Sequence, residues 1–419
     1  MKRGFSALIL IVVLLVGVAW LSAGGRADPA AGERQTLSAA LGPAPRARNL
    51  KIDYALVDRR IAALMQRDDM VGLAVAIVEN GRPTFVKGYG RVSAESDERV
   101  TPHTVFRWAS VSKGVASSLV ARLVVSGRLD FVHSAAYYGS SLKLDRHGEE
   151  QATLIDILSH RLGLPKNAYD GRLEGGIEPA VIRASLGDIP ALCPPGSCHS
   201  YQNSAYDSVS EIVANATGRS YADEVRARLF APLGMTSASI GRAGLIGAKS
   251  WARPHRGQKP IEVVDAYYRI PAAAGVNSNI ADMARWMVAQ MGGAPDVLSP
   301  AMLNVIHEAR VATPRPFGSN GFGRALSNAG YGLGWRSFDF RGHRLVGHGG
   351  AVSGYRSEIV FDPKAKAGVV LMWNSNAGRP FRLPGEIMDS FYGEAFTDML
   401  ELDDDKPNAA DRPVPRSET

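Results

Sequence analysis

The chain reads as an α/β protein in which an antiparallel sheet flanked by helices is assembled from both ends of the sequence, with a mainly helical stretch inserted between. Three observations predict this. Near the start, the runs Val71–Val78 and Thr84–Val92 flank Asn80-Gly81, the dipeptide favoured in two-residue hairpins. Late in the chain, Leu345–His348, Ser357–Phe361 and Val369–Trp373 are separated by Gly-rich or Pro/Lys turns, which suits antiparallel pairing. Between these groups, apolar residues recur mostly at helical spacing.

Taken in order, Asp53–Arg67 carries Leu56, Ile61, Leu64 and Met65 at helical spacing ahead of the hairpin. Val111 to about Val125 is helical again, with Val115, Leu119, Leu123 and Val124 on one face. Residues 150–235 mix helices with long loops; one helix runs from about Asp207 to Thr217 and stops at Gly218, and another covers Tyr221–Leu229 before Pro232. Ile280–Gln290 is helical, and Gly385–Leu400 closes as an amphipathic helix. The expected boundaries are an N-terminal segment 1–27, a Pro/Gly/Ala-rich linker 28–50, a domain 51–402 and a charged, disordered tail 403–419. Within the domain, 51–115 and 240–402 form the α/β part and 116–239 the helical part.

Composition narrows the function. At 419 residues with 45% apolar and 21% charged content, the chain can bury a substantial core, which excludes disordered, collagenous and coiled-coil classes. Lys and Arg number 48 against 41 acids; without Lys2, Arg3 and Arg26 the count is 45 against 41. No dense basic run is present, so nucleic acid is not an expected partner. Lys2 and Arg3 precede the uncharged run Phe5–Ala23, and Gly25-Arg26-Ala27 puts small residues at −3 and −1 of a cut. The segment reads as a cleaved export signal or, at nineteen residues, as an anchor. Either way the domain works beyond the cytoplasmic membrane, in a periplasm or held to the membrane's outer face.

The two cysteines, Cys193 and Cys198, sit in Cys-Pro-Pro-Gly-Ser-Cys. An exported chain permits a disulfide across such a turn, and two free thiols are the other reading. Zinc ligands at the usual spacing are missing.

Ser-x-x-Lys occurs twice, at Ser110–Lys113 and Ser140–Lys143. Only the first opens a helical run, where the hydroxyl and amine lie one turn apart on the same face. A serine becomes a strong nucleophile when a base takes its proton, and a lysine can be that base if burial or nearby charge lowers its pKa. Tyr201-Gln202-Asn203 lies in a loop after Pro195-Gly196, and could add a proton-sharing phenol and an amide that binds substrate. His348-Gly349-Gly350 ends a strand-like run, where glycines allow a substrate backbone to approach.

Ser-x-x-Lys, Tyr-x-Asn and Lys/His-x-Gly in this order resemble the class C β-lactamase and penicillin-binding serine hydrolase family. Longer stretches are similar too: Phe106–Lys113, Leu158–Pro165, Pro232–Met235, Gly275–Ser278 leading into Asp282–Trp286, and Tyr331–Trp335. The likeness covers about residues 50–395. It implies the β-lactamase/transpeptidase-like fold and an acyl-enzyme mechanism without metal or organic cofactor. Ser110 would attack a carbonyl, with Lys113 and Tyr201 moving its proton. The N–H groups of Ser110 and Ala351 would form the oxyanion hole, and Asn203 would orient the acyl side chain. The implied substrate is a small molecule or peptide: a β-lactam, a peptidoglycan peptide or an ester.

The chain departs from the family where many members have Lys-Thr-Gly and it has His348-Gly349-Gly350. The lysine and threonine that would meet a substrate carboxylate are missing, which argues against strong β-lactam hydrolysis and keeps peptidase and esterase in play. Arg356 is a candidate replacement cation, or equally a solvated strand residue. A Cys193–Cys198 bridge would stiffen the wall leading to Tyr201. Gly-x-Ser-x-Gly of α/β-hydrolases is absent, the near P-loop at Gly241–Ser250 is broken by Ala248, and Ser-Asp-Asn of class A enzymes is replaced by Tyr201-Gln202-Asn203. A silent binder of the same fold would be expected to lose Ser110, Lys113 or Tyr201, and all three are present.

Overall fold

Eight strands form one antiparallel sheet: β1 (Gly72–Glu79), β2 (Arg82–Gly90), β3 (Val311–Ala312), β4 (Leu326–Tyr331), β5 (Arg336–Phe340), β6 (His343–Val352), β7 (Tyr355–Asp362) and β8 (Ala367–Trp373). Their order across the sheet is β2-β1-β8-β7-β6-β5-β4-β3, so β1 from the start of the chain pairs with β8 from its end. The structure is a computed structural model and describes residues 50–402 apart from 317, 319 and 320. The N-terminal segment 1–27, most of residues 28–50 and the tail beyond 402 lie outside the described residues. Among the described residues, no helix is long and apolar enough to cross a membrane.

The hairpin forms where Asn80-Gly81 predicts it. Both residues have positive φ, 53° and 72°, as a type I′ turn requires. All eight residues of β1 are buried because both faces of the sheet are covered. Leu73, Val75 and Ile77 join one apolar cluster with α1 (Tyr54–Leu64) and the C-terminal helix (Leu383–Tyr392). Ala74, Ala76 and Val78 join the other, which includes the helices of the chain's middle. Asp53 caps α1 by accepting from Leu56 N–H. The closing helix is shorter than the expected Gly385–Leu400, because Gly393 (φ 76°) ends it in the left-handed conformation.

On the inner face, α2 (Ser112–Val125) is more deeply enclosed than its one-faced apolar pattern suggests. Every residue from Ser112 to Ala121 is buried. Gly114 allows this, since a Cβ there would lie 2.4 Å from the Trp335 ring. Helix α3 (Ser208–Thr217) stops at Gly218 (φ 71°) as expected, and α4 (Ile280–Val288) is capped by Asn279 and packs on β1 and β8. Strands β3, β4 and β5 are not among the strands the sequence predicts: Leu326-Ser-Asn-Ala-Gly-Tyr331 has little intrinsic β preference and pairs because its neighbours impose it. Strand β6 does not end at His348 but continues through both glycines to Val352.

Glu358 on β7 points to the face that carries Val360 and Leu371, is fully buried, and has no hydrogen-bond partner on either carboxyl oxygen. Burial therefore pushes its pKa well up, and it folds as a neutral acid. Replacing it by Leu should stabilise the protein by about 1–3 kcal/mol. Wild-type stability should fall as pH rises above about 4.3, because the unfolded carboxyl ionises there while the folded one keeps its proton. Thermal melts of wild type and Glu358→Leu across that range check both; a less stable variant would reveal a partner for the carboxyl.

Candidate active site

The chain reaches α2 through a single tight turn, Ala109–Val111, so Ser110 sits just before the helix and not within it. Ala109 has φ 47°, a left-handed conformation that costs a non-glycine residue about 1 kcal/mol or more. Its neighbours hold it there. Trp108 N–H donates to Val276 O (2.9 Å), its indole N–H to Ser278 Oγ (2.8 Å), and its carbonyl accepts from Ser357 Oγ (2.5 Å). Strand β6 passes so close that a Cβ on Gly350 would lie 2.2 Å from Trp108 O and 3.2 Å from Ala109 Cβ. The second glycine of His-Gly-Gly is thus required by backbone contact with the turn that carries Ser110.

Lys113 is fully buried, and its ammonium donates to Ser110 Oγ (3.4 Å), Asn203 Oδ1 (2.8 Å) and Ala273 O (3.2 Å). It also lies 4.7 Å from the ring centre of Tyr201 and 5.3 Å from that of Tyr206. Asn203 turns its other end to Asp170, with Nδ2 donating to Asp170 Oδ2 at 2.7 Å. Because Lys113 can only donate and the Asp170 oxygen accepts, this fixes the orientation of the Asn203 amide. Both ends of the amide are therefore engaged within the protein. Asp170 Oδ1 is buried without a partner, and burial raises the pKa of the acid. No motif marked Asp170 in the sequence.

Tyr201 is delivered by a pinned loop. Cys193 and Cys198 are joined by a disulfide. Gly196 N–H donates to Arg161 O (2.8 Å), Leu192 N–H to Gly163 O (2.7 Å), Ser200 N–H to His160 O (2.8 Å) and Asn167 N–H to Tyr201 O (2.8 Å). The Tyr201 ring packs 4.2 Å from His160 and 6.2 Å from His348, centre to centre.

The structure gathers Ser110, Tyr201, Asn203, His348, Gly349, Gly350 and Ala351 around one open cleft of about 430 Å³, with Lys113 buried behind Ser110. Arg356 is not among the lining residues: its guanidinium folds back on its own hairpin, donating to Val352 O (2.6 Å) and Tyr355 O (2.8 Å). Two cations line the cleft, Lys166 and Arg336, and Arg336 lies 5.9 Å from the Tyr201 ring centre and 5.4 Å from that of Tyr331. Among the described residues no carboxylate pairs with it. Its one sequence signal was its place directly after Tyr331–Trp335. His348 is held well below the usual histidine pKa, mainly by burial and further by the charges of Arg336 and Lys113, so it is neutral. The second Ser-x-x-Lys lies apart from the cleft: Ser140 and Ser141 donate to Glu211 (3.0 and 2.9 Å) and Lys143 pairs with Glu149 (3.2 Å). Among the described residues no group of three or more His, Cys, Asp or Glu side chains could hold a metal ion.

Residues 57–388 match the Beta-lactamase family. The chain belongs to that family. The octameric penicillin-binding protein homologue from Pyrococcus abyssi superposes with a TM-score of 0.74 at 22% identity, over 84% of this chain and 80% of that one. Among curated relatives, an unguisins hydrolase of Aspergillus campestris is 28% identical over 353 residues, and Protein flp of Staphylococcus aureus is 25% identical over 334. Each alignment covers 77% of this chain and 61% or 63% of the relative, so the chain spans less than two thirds of either relative's length. The family's members are usually serine hydrolases acting on small molecules or peptides, and the β-lactamase/transpeptidase-like fold expected from the sequence is present.

Within this family setting, Asp170 is a support for Asn203 and, through it, for the Lys113 ammonium. Asp170→Ala should lower kcat on a small ester about tenfold, the equivalent of one hydrogen bond. Asp170→Asn, which keeps an acceptor for Asn203 Nδ2, should retain most of it. Equal losses in the two variants, measured by steady-state kinetics, would show that the contact to Asn203 is not what matters.

Proposed function

We propose that the chain is an exported serine hydrolase of the class C β-lactamase/penicillin-binding type that cleaves an amide or ester through an acyl-Ser110 intermediate. Ser110 Oγ attacks the substrate carbonyl carbon while its proton passes to Lys113 in its neutral amine form, once the ammonium has given up a proton, or to Tyr201 in its phenolate form. The Ser110 and Ala351 N–H groups take the developing oxyanion. The proton is returned to the leaving amine or alcohol as the C–N or C–O bond breaks. Water, activated by Tyr201 with Lys113, then attacks the acyl carbon and releases Ser110 with the acid product.

The observation that carries the reading is the enclosed Lys113 ammonium, 3.4 Å from a serine hydroxyl that faces a glycine-bearing strand across an open cleft. The substrate class follows from the charge of the walls. With His348 neutral and Arg356 turned away, Arg336 and the exposed Lys166 are the cations that line the cleft, and Arg336, over the Tyr201 and Tyr331 rings, is the one we assign to an anionic group on the substrate. A peptide or ester ending in a carboxylate fits this cleft, and the absence of a Lys-Thr-Gly sequence favours peptidase or esterase over strong β-lactam turnover. That one relative is named as a hydrolase supports a hydrolytic activity on this scaffold. The N-terminal basic-then-apolar run supports export; N-terminal sequencing of the secreted protein should find Asp28 first if the segment is cleaved after Ala27.

Steady-state turnover of p-nitrophenyl acetate and of a peptide ending in a free carboxylate tests the proposal. Ser110→Ala and Lys113→Ala should each lose about 10³-fold or more in kcat. Arg336→Gln should raise KM about tenfold for the carboxylate-bearing substrate and little for the neutral ester. Full activity in Ser110→Ala would refute the nucleophile, and an equal effect of Arg336→Gln on both substrates would refute the charge reading.

A further inference from the structure

His348 stands in the cleft wall, yet both of its ring nitrogens are taken up by protein neighbours. Nδ1 lies 2.7 Å from Gly349 O and Nε2 lies 2.8 Å from the Tyr331 hydroxyl. That hydroxyl is also 3.2 Å from His160 Nε2, and His160 Nδ1 accepts from Gln202 N–H at 3.2 Å. His160, Tyr331 and His348 are all buried, and His160 itself is held at φ 59°.

The two ends of this chain fix its polarity. A backbone N–H can only donate and a backbone carbonyl can only accept. Gln202 N–H therefore requires a bare His160 Nδ1, which leaves the His160 proton on Nε2, pointing at Tyr331. Tyr331 accepts that hydrogen bond and donates its own O–H to His348 Nε2. His348 then carries its proton on Nδ1 and donates it to Gly349 O. Every donor has one acceptor, and no member can hold an extra proton without breaking a link. The charged and titratable groups around His348 act in the same sense: Arg336 and Lys113 both disfavour its cation, and Tyr331, His160 and His199 add no negative charge at neutral pH; the Tyr201 ring lies 6.2 Å away, centre to centre.

We infer that His160, Tyr331 and His348 form a one-way hydrogen-bonded relay that holds His348 as the Nδ1–H tautomer and ties the backbone beside Tyr201 to the strand that carries Ala351. This rests on the reading of the Ser110 cleft as the active site and gives the histidine a different part from the one its motif suggests. His348 neither shuttles protons nor meets the substrate's charge. It is a positioning residue, and so are Tyr331 and His160. The relay starts at Gln202, next to Tyr201, and ends at the carbonyl two residues before Ala351, so it sets the separation between the phenol and one oxyanion donor.

Two measurements on the full chain test this. In ¹⁵N-histidine NMR, with His348 assigned by loss of its signal in His348→Gln, the ring should show the Nδ1–H tautomer and should not titrate between about pH 5.5 and 8. An Nε2–H tautomer, or titration in that range, overturns the inference. In ester kinetics, His160→Gln supplies an acceptor and a donor in place of the imidazole and should keep kcat within about threefold, whereas His160→Leu should lower it about tenfold with KM little changed. Tyr331→Phe replaces His160→Leu if the latter does not fold. Equal losses in the Gln and Leu variants, or no loss in either, also overturn it. Failure of the wild type to turn over any ester or peptide would refute the hydrolase reading alone and leave the tautomer measurement to decide the relay.

Discussion

A lysine ammonium withdrawn from water has to be surrounded by acceptors, and the site is built around this constraint. Lys113 is enclosed by the Ser110 hydroxyl, the Asn203 amide oxygen, the Ala273 carbonyl and two tyrosine faces. Removing water from such a charge costs several kcal/mol unless each donor finds a partner. The requirement propagates outwards. Asn203 can offer its oxygen because Asp170 takes its N–H, and the turn holding Ala273 is held by Asp207 through Ala272 N–H at 2.9 Å. Ser110, one helical turn from the lysine and at the end of a conformationally strained approach, is where this network meets the cleft.

The opposite wall obeys a steric constraint rather than an electrostatic one. Strand β6 passes within contact distance of the Trp108–Ala109 backbone, and only a glycine at position 350 permits that. Such an approach depends on β6 keeping its height, which its pairing with β7 and the histidine–tyrosine chain beneath it both support. The cleft lining carries Arg336 and a neutral histidine beside β5 and β6, Asp170 beside Asn203, and Lys166 as a second cation.

Much of the site could be read from the sequence because its parts are local. Ser110 and Lys113 declare themselves through one turn of helix, and Tyr201, Asn203 and His348 through short patterns that a single loop or strand presents together. The residues that escaped are those whose role depends on tertiary placement. Arg336 and Arg356 look alike in sequence, each on a strand near a tyrosine. The first reaches over the Tyr201 and Tyr331 rings, while the second is captured by its own hairpin carbonyls. Asp170 matters only because a loop brings it to Asn203 from 33 residues away. The fold shows the same division: the Asn80-Gly81 hairpin was legible from turn chemistry, whereas β4 takes its strand form from its neighbours.

The most direct measurement is the intact mass of the domain (residues 28–419) after mixing with a penicillin, a cephalosporin and p-nitrophenyl acetate, followed by peptide mapping of any adduct. An acyl mass on the peptide containing Ser110, absent from Ser110→Ala and weakened in Lys113→Ala, is the expected result. An adduct on another residue, or one that persists in Ser110→Ala, would contradict the assignment of Ser110 as the nucleophile.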